Sequence, residues 1–181
     1  MNVPLQTIDH ALWLVACDPA FLTMLYEWYV HDLGIPGSKR LPFDGWIREK
    51  LDVMAGCLHS EKAEDMAAAL RINATGDVIA VVESIDAKAH GFNSDVNCYV
   101  EEGVVFSNVW FKHFYPDTSL KRAERTAEKF RKAGYCADIH IDEEDSRSIT
   151  VNAQIDFKLY KEKWLDGSLA KATSICRTNM V

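Results

Sequence analysis

Asn73-Ala74-Thr75-Gly76-Asp77-Val78-Ile79-Ala80-Val81-Val82 is where the character of the chain changes. Before it, apolar residues recur at helical spacing; well after it, they alternate as strands do. The run 78–82 is continuous and mostly β-branched, so the pattern predicts a strand buried on both faces. On that reading the fold is α+β, with a helical part over 1–75, a sheet part over 76–166 and a polar tail over 167–181. Residues 73–76 form only a turn, not a linker, so the two parts are not expected to be independent domains.

Upstream of the turn, helices follow one another. Thr7 can cap a first helix running to Ala16, with Ile8, Leu12 and Val15 on one face. Asp18-Pro19 then restarts the chain, Asp at the N-cap and Pro at the first helical position. The helix predicted over 19–33 carries Phe21, Leu22, Met24, Leu25, Tyr26, Trp28, Tyr29 and Leu33, which cover most of its circumference. A helix apolar nearly all round is buried or lies at an interface. A loop rich in Gly and Pro, with Lys39 and Arg40 in it, leads to helices over 44–55 and 61–72.

Downstream, 96–101 and 104–114 read as a hairpin about Glu102-Gly103. A helix over 118–134 follows, then a second hairpin. In it Ala137, Ile139 and Ile141 alternate on one strand, and Ile149, Val151, Ala153 and Ile155 on the other. A last helix is expected over 157–165. The order is four helices and then βββαββα, a mixed, mainly antiparallel sheet with helices on one face. The step from Phe114 through a helix to Cys136 is expected to set those two strands parallel.

Composition narrows the function classes. The chain is 48% apolar and 26% charged, which fits a packed protein and not a disordered one. Its formal charge of −7 argues against a generic nucleic-acid binder, which needs clustered Lys and Arg. Cys17, Cys57, Cys98, Cys136 and Cys176 are odd in number and contain no Cys-x-x-Cys pair, so free thiols in a reducing cytoplasm are expected. Leu14-Val15-Ala16-Cys17 matches a lipoprotein cleavage box, but the residues before it carry Asp9 and no Lys or Arg. No apolar stretch approaches membrane-spanning length.

Several groups of residues are chemically competent. Asp138, His140 and Asp142 share one face of a predicted strand, opposite Thr150, Asn152 and Gln154. That face could hold a divalent metal, or simply be the wet side of a hairpin. Arg122, Arg125, Lys129 and Lys132 share one helical face and form a basic ridge suited to an acidic partner surface. A helix-turn-helix over the third and fourth helices is disfavoured, because the second of them opens with Glu61, Glu64 and Asp65. Cys17 precedes a helix, and Glu27 with His31 lie one turn apart, but no second motif completes a catalytic or metal set. Trp13, Tyr26, Trp28, Tyr29 and Trp46 are concentrated early and suit either a core or an interface.

These features favour a non-enzymatic binding or regulatory protein that docks on a macromolecule, a protein rather than a nucleic acid. Inhibitors carried by phages and plasmids are a class of that make-up. The binding residues would be Arg122, Arg125, Lys129, Lys132, Lys39 and Arg40. A homodimer through the N-terminal helices is a further expectation; no cofactor, metal or membrane is expected. The competing class is a small metal-dependent or hydrolase-like enzyme with a dispersed site, which requires His113, Asp138 and His140 to converge.

Overall fold

The structure, a computed structural model, describes residues 3–38 and 40–165. The chain is α+β, N-terminal helices followed by a sheet, and its described residues divide into two compact units, one over 3–75 with 158–165 and the other Gly76–Phe157. The predicted tail over 167–181 and Lys39 lie outside the described residues. No single described helix is long and apolar enough to cross a membrane.

The first unit is built from α1 (Leu5–Ala16), α2 (Pro19–Leu33), α3 (Phe43–Leu58) and α4 (Ala63–Thr75). The Asp18 carboxylate accepts a hydrogen bond from the Phe21 N–H at 3.1 Å, and Pro19 opens α2. Ala67, Ala68 and Ala69 are all buried, and these small side chains let α4 sit close against its neighbours α1 and α3. Around them pack Val15, Leu25, Ile47, Leu51, Met66 and Leu70. Against expectation, α2 is not buried all round: Phe21 and Leu25 are buried, whereas Met24, Tyr26 and Val30 are exposed. Its larger rings are used sideways, against α3. Trp28 meets Trp46 edge to face at 5.2 Å, and Tyr29 lies 5.3 Å from Phe43. A short α7 (Phe157–Tyr160) runs into a π-helical turn (Lys161–Leu165), where Lys161 donates to Asp65 at 2.6 Å.

The second unit overturns the reading of 78–82. These residues open a helix, α5 (Val78–Ala89). Gly76 turns the chain at φ +77, and a Cβ there would lie 3.0 Å from Val81 Cγ2. Asp77 then caps the helix, accepting from the Ile79 and Ala80 N–H groups at 2.8 and 3.4 Å. The same carboxylate, 0% exposed, accepts the Tyr135 hydroxyl at 2.5 Å. Cap and tertiary anchor together outweigh the β-branched composition, which is a weak prior on its own. The helix is also inverted. Glu83 and Ser84 face inward with Ala80 and Ala87, while Val78, Val82 and Ile85 are exposed.

The remaining elements are β1 (Asn93–Glu101), β2 (Val104–Lys112), α6 (Pro116–Lys132), β3 (Cys136–Ile141) and β4 (Ser148–Asp156). Glu102 and Gly103 both take positive φ, 48° and 73°, as a two-residue hairpin turn requires. The sheet order is β1-β2-β4-β3, and every neighbouring pair is antiparallel. So β2 and β3 do point the same way, but β4 lies between them, and the expected mixed sheet is fully antiparallel. The second hairpin closes back onto β2 instead of leaving β3 beside it. The order after the N-terminal helices is therefore αββαββα, not βββαββα. Within the unit, α5 packs on β1 and β2, and α6 on β3 and β4. They cover the face that carries Cys98, Val105, Val109, Phe111, Ile149 and Val151, all buried.

Candidate functional site on the open sheet face

Because strand side chains alternate, the residues that do not face α5 and α6 form the other side of the sheet. Pairing register sets them in rows across the strands. One row is Tyr99, Phe106, Gln154 and Cys136; the next is Asn97, Asn108, Asn152 and Asp138; a third is Asp95, Trp110, Thr150 and His140. Directly opposed side chains have Cβ atoms about 4.5–5.5 Å apart, so each row can act on one ligand. The Tyr99 and Phe106 rings stack at 4.9 Å with 13° between their planes. Trp110 Nε1 donates to Ser148 Oγ at 2.7 Å, which fixes its indole.

Between the first two rows lies a concavity of about 240 Å³, lined by Tyr99, Phe106, Asn108, Cys136, Asp138, Asn152, Ala153 and Gln154. Asp138, Asn152 and Gln154 are exposed at its edge, and Asn108 is half-buried. Hence hydrogen-bonding oxygens from β2, β4 and β3 line one concavity beside an aromatic pair. A second concavity of about 320 Å³ in the first unit, between α2 and α3, is chemically closed by comparison. Its Asp32 already accepts from Trp46 Nε1 at 3.1 Å and pairs with Lys50 at 3.2 Å. The Lys50 ammonium in turn sits over the Trp28 and Trp46 rings.

The sequence-predicted residues fall as follows. Asp138 and His140 project from β3 onto the open face. Asp142 serves the β3–β4 turn, where its Oδ1 accepts from the Glu144 and Asp145 N–H groups at 2.8 and 3.2 Å. Among the described residues no cluster of His, Cys, Asp or Glu is arranged to hold a metal ion. The His113 ring lies 4.9 Å from Phe92 at a tilt of 44°, and Phe92 packs on the inward Phe111. It therefore sits on the helix side of the sheet, opposite His140, and the structure does not bring His113, Asp138 and His140 together.

The basic ridge is divided rather than continuous. Arg122 donates to Asp86 at 2.6 Å and to Glu83 Oε2 at 3.2 Å, and Lys129 donates to Glu83 Oε1 at 2.5 Å. Thr126 adds a hydroxyl to the same Glu83 carboxylate, which is 4% exposed. The Arg122 guanidinium holds the Asp86 carboxyl below its ordinary range. Lys132 pairs with Glu128 one turn away on the surface, and Arg125 and Arg40 are exposed. Two of the four ridge cations thus join α6 to α5, leaving Arg125 and Lys132 on the outer surface.

Sequence reading found the β3 and β4 half of the open face and missed the β1 and β2 half. The signal that could have found it was the outward parity of Tyr99, Phe106, Asn108 and Trp110 in the first hairpin. Compared with protein-family models, curated proteins and solved structures, the chain matches none.

Proposed function

We propose that this chain is a protein-docking module whose recognition surface is the open face of the second unit's sheet. One observation carries the reading: Tyr99, Phe106 and Trp110 stand on the face that neither α5 nor α6 covers, among Asn108, Asn152 and Gln154. The wet side of an antiparallel sheet is ordinarily polar. Rigid aromatics framed by adaptable amides are the composition of recognition surfaces. A nucleic-acid partner is disfavoured there, since the face carries Asp95 and Asp138, and its Lys112 is paired with Asp145. His113 lies on the helix side of the sheet and His140 on the open side, so the dispersed site of His113, Asp138 and His140 gives no support to the enzyme reading.

Selection of displayed peptides against the full chain tests this, with Phe106→Glu as the counter-target and circular dichroism as the folding control. The expected result is peptide families whose affinity falls about tenfold or more on the variant. Binders indifferent to Phe106, or no binders, would overturn the assignment of this face.

A further inference from the structure

We infer that the concavity between Phe106 and Asp138 is a receptor for a single arginine side chain of the docked partner, an inference that rests on the docking reading above. The volume argues first. A free drug-sized ligand fills roughly 300–1,000 Å³, whereas this space is about 240 Å³ and open to the surface. It suits one long side chain inserted from a larger molecule.

The lining argues second. Asn108, Asn152 and Gln154 each offer a carbonyl oxygen, and Asp138 offers a carboxylate. They come from β2, β4 and β3, so the acceptors are spread across neighbouring strands instead of meeting at a point. No Lys or Arg lines the space, and the chain carries a formal charge of −7, so an anion is repelled. A purely apolar group would strip water from the amides without replacing their hydrogen bonds.

A guanidinium answers both demands. It is planar, always charged, and carries five N–H donors in a fork that can reach several acceptors at once. Its flat face stacks on aromatic rings, and the Tyr99–Phe106 pair forms that wall. The three-carbon stem then lies against the strand backbone at Ala153 and the Cys136 side chain. An ammonium is a point charge that satisfies fewer of these acceptors, so lysine should bind more weakly.

The test is an NMR titration of the full chain with N-acetyl-argininamide, N-acetyl-lysinamide, the neutral isostere N-acetyl-citrullinamide, and N-acetyl-glutamate. Shifts are expected at the side-chain amides of Asn108, Asn152 and Gln154 with the arginine compound. They should be several-fold weaker with lysine and absent with citrulline and glutamate. Asp138→Asn, a change at an exposed position, should weaken arginine binding about tenfold. Equal response to citrulline, a response to glutamate, or no response to arginine in the tens of millimolar overturns the inference. Peptide selections separate the two proposals. Face-dependent peptides without arginine would retain the docking surface and remove this receptor. Arginine-specific shifts without any face-dependent peptide would overturn the docking surface, and with it the reading of this site as a partner's receptor, while leaving a guanidinium-binding site.

Discussion

Replacing Asp77 with Ala removes three hydrogen bonds at one stroke. Two are the cap contacts to Ile79 and Ala80, and the third is the hydroxyl of Tyr135, itself nearly buried. Loss of an N-cap side chain costs about 1 kcal/mol. A buried hydroxyl left without its acceptor costs about 1–3 kcal/mol more. Release of a fully buried carboxylate from its desolvation penalty offsets part of this. The net expectation is about 2–3 kcal/mol lost from the second unit. Tyr135→Phe alone should cost about 1 kcal/mol, because it leaves the cap in place. The double variant should cost about 1 kcal/mol less than the sum, since no orphaned hydroxyl remains. Urea unfolding followed by circular dichroism gives the free energies. Hydrogen exchange at the α5 amides localises them, which matters because two units need not unfold together. A loss below about 0.5 kcal/mol, with α5 as well protected as before, would show that Asp77 does not hold this segment helical.

Two further expectations concern titrating groups. At the β3–β4 turn, hydrogen bonds from Arg147 and then Lys112 hold the Asp145 carboxyl well below the ordinary carboxylate range. Its pKa is depressed in the folded chain, so its stabilisation is present above about pH 4 and is lost as pH falls through the folded value. Asp145→Asn should therefore flatten the fall of stability with acidification below about pH 4, read by urea midpoints across that range; an unchanged slope would refute the role. Burial pushes the Cys98 thiol up, while Cys136 is exposed at the rim of the concavity. Mass spectrometry after brief iodoacetamide treatment at neutral pH should find Cys136 modified and Cys98 intact until denaturant is added. Early labelling of Cys98 would contradict its packing.

Much of the fold could be read locally. Asp18-Pro19 announces the start of α2, and the Glu102-Gly103 pair announces the first hairpin, because caps and turns are written in neighbouring residues. Residues 78–82 misled because their side chains favour a strand, whereas the deciding partner of Asp77 is Tyr135, 58 positions away. That single misreading propagated to the candidate site. With α5 taken as a strand, no acidic face stood opposite α6, and Arg122 and Lys129 looked free. The Glu83 that binds them lies 39 and 46 residues earlier. Alternation marked Asp138, Asn152 and Gln154 as one polar face. It could not say which side of β2 meets water, because both sides carry large apolar residues: Val109 and Phe111 on one, Phe106 and Trp110 on the other.

The inverted helix α5 has a consequence for the chain before it folds. Val78-Ile79-Ala80-Val81-Val82 is uncharged, proline-free and high in β-propensity, the composition that pairs with copies of itself in extended form. Its immediate flanks on the two sides are Asp77 and Glu83. In the native unit these two carboxylates are buried partners of Tyr135 and of Lys129 with Arg122. In a nascent or denatured chain they are instead charged gatekeepers that keep neighbouring copies apart. The same two acids thus guard the segment against aggregation in solution and, once folded, anchor it as a helix.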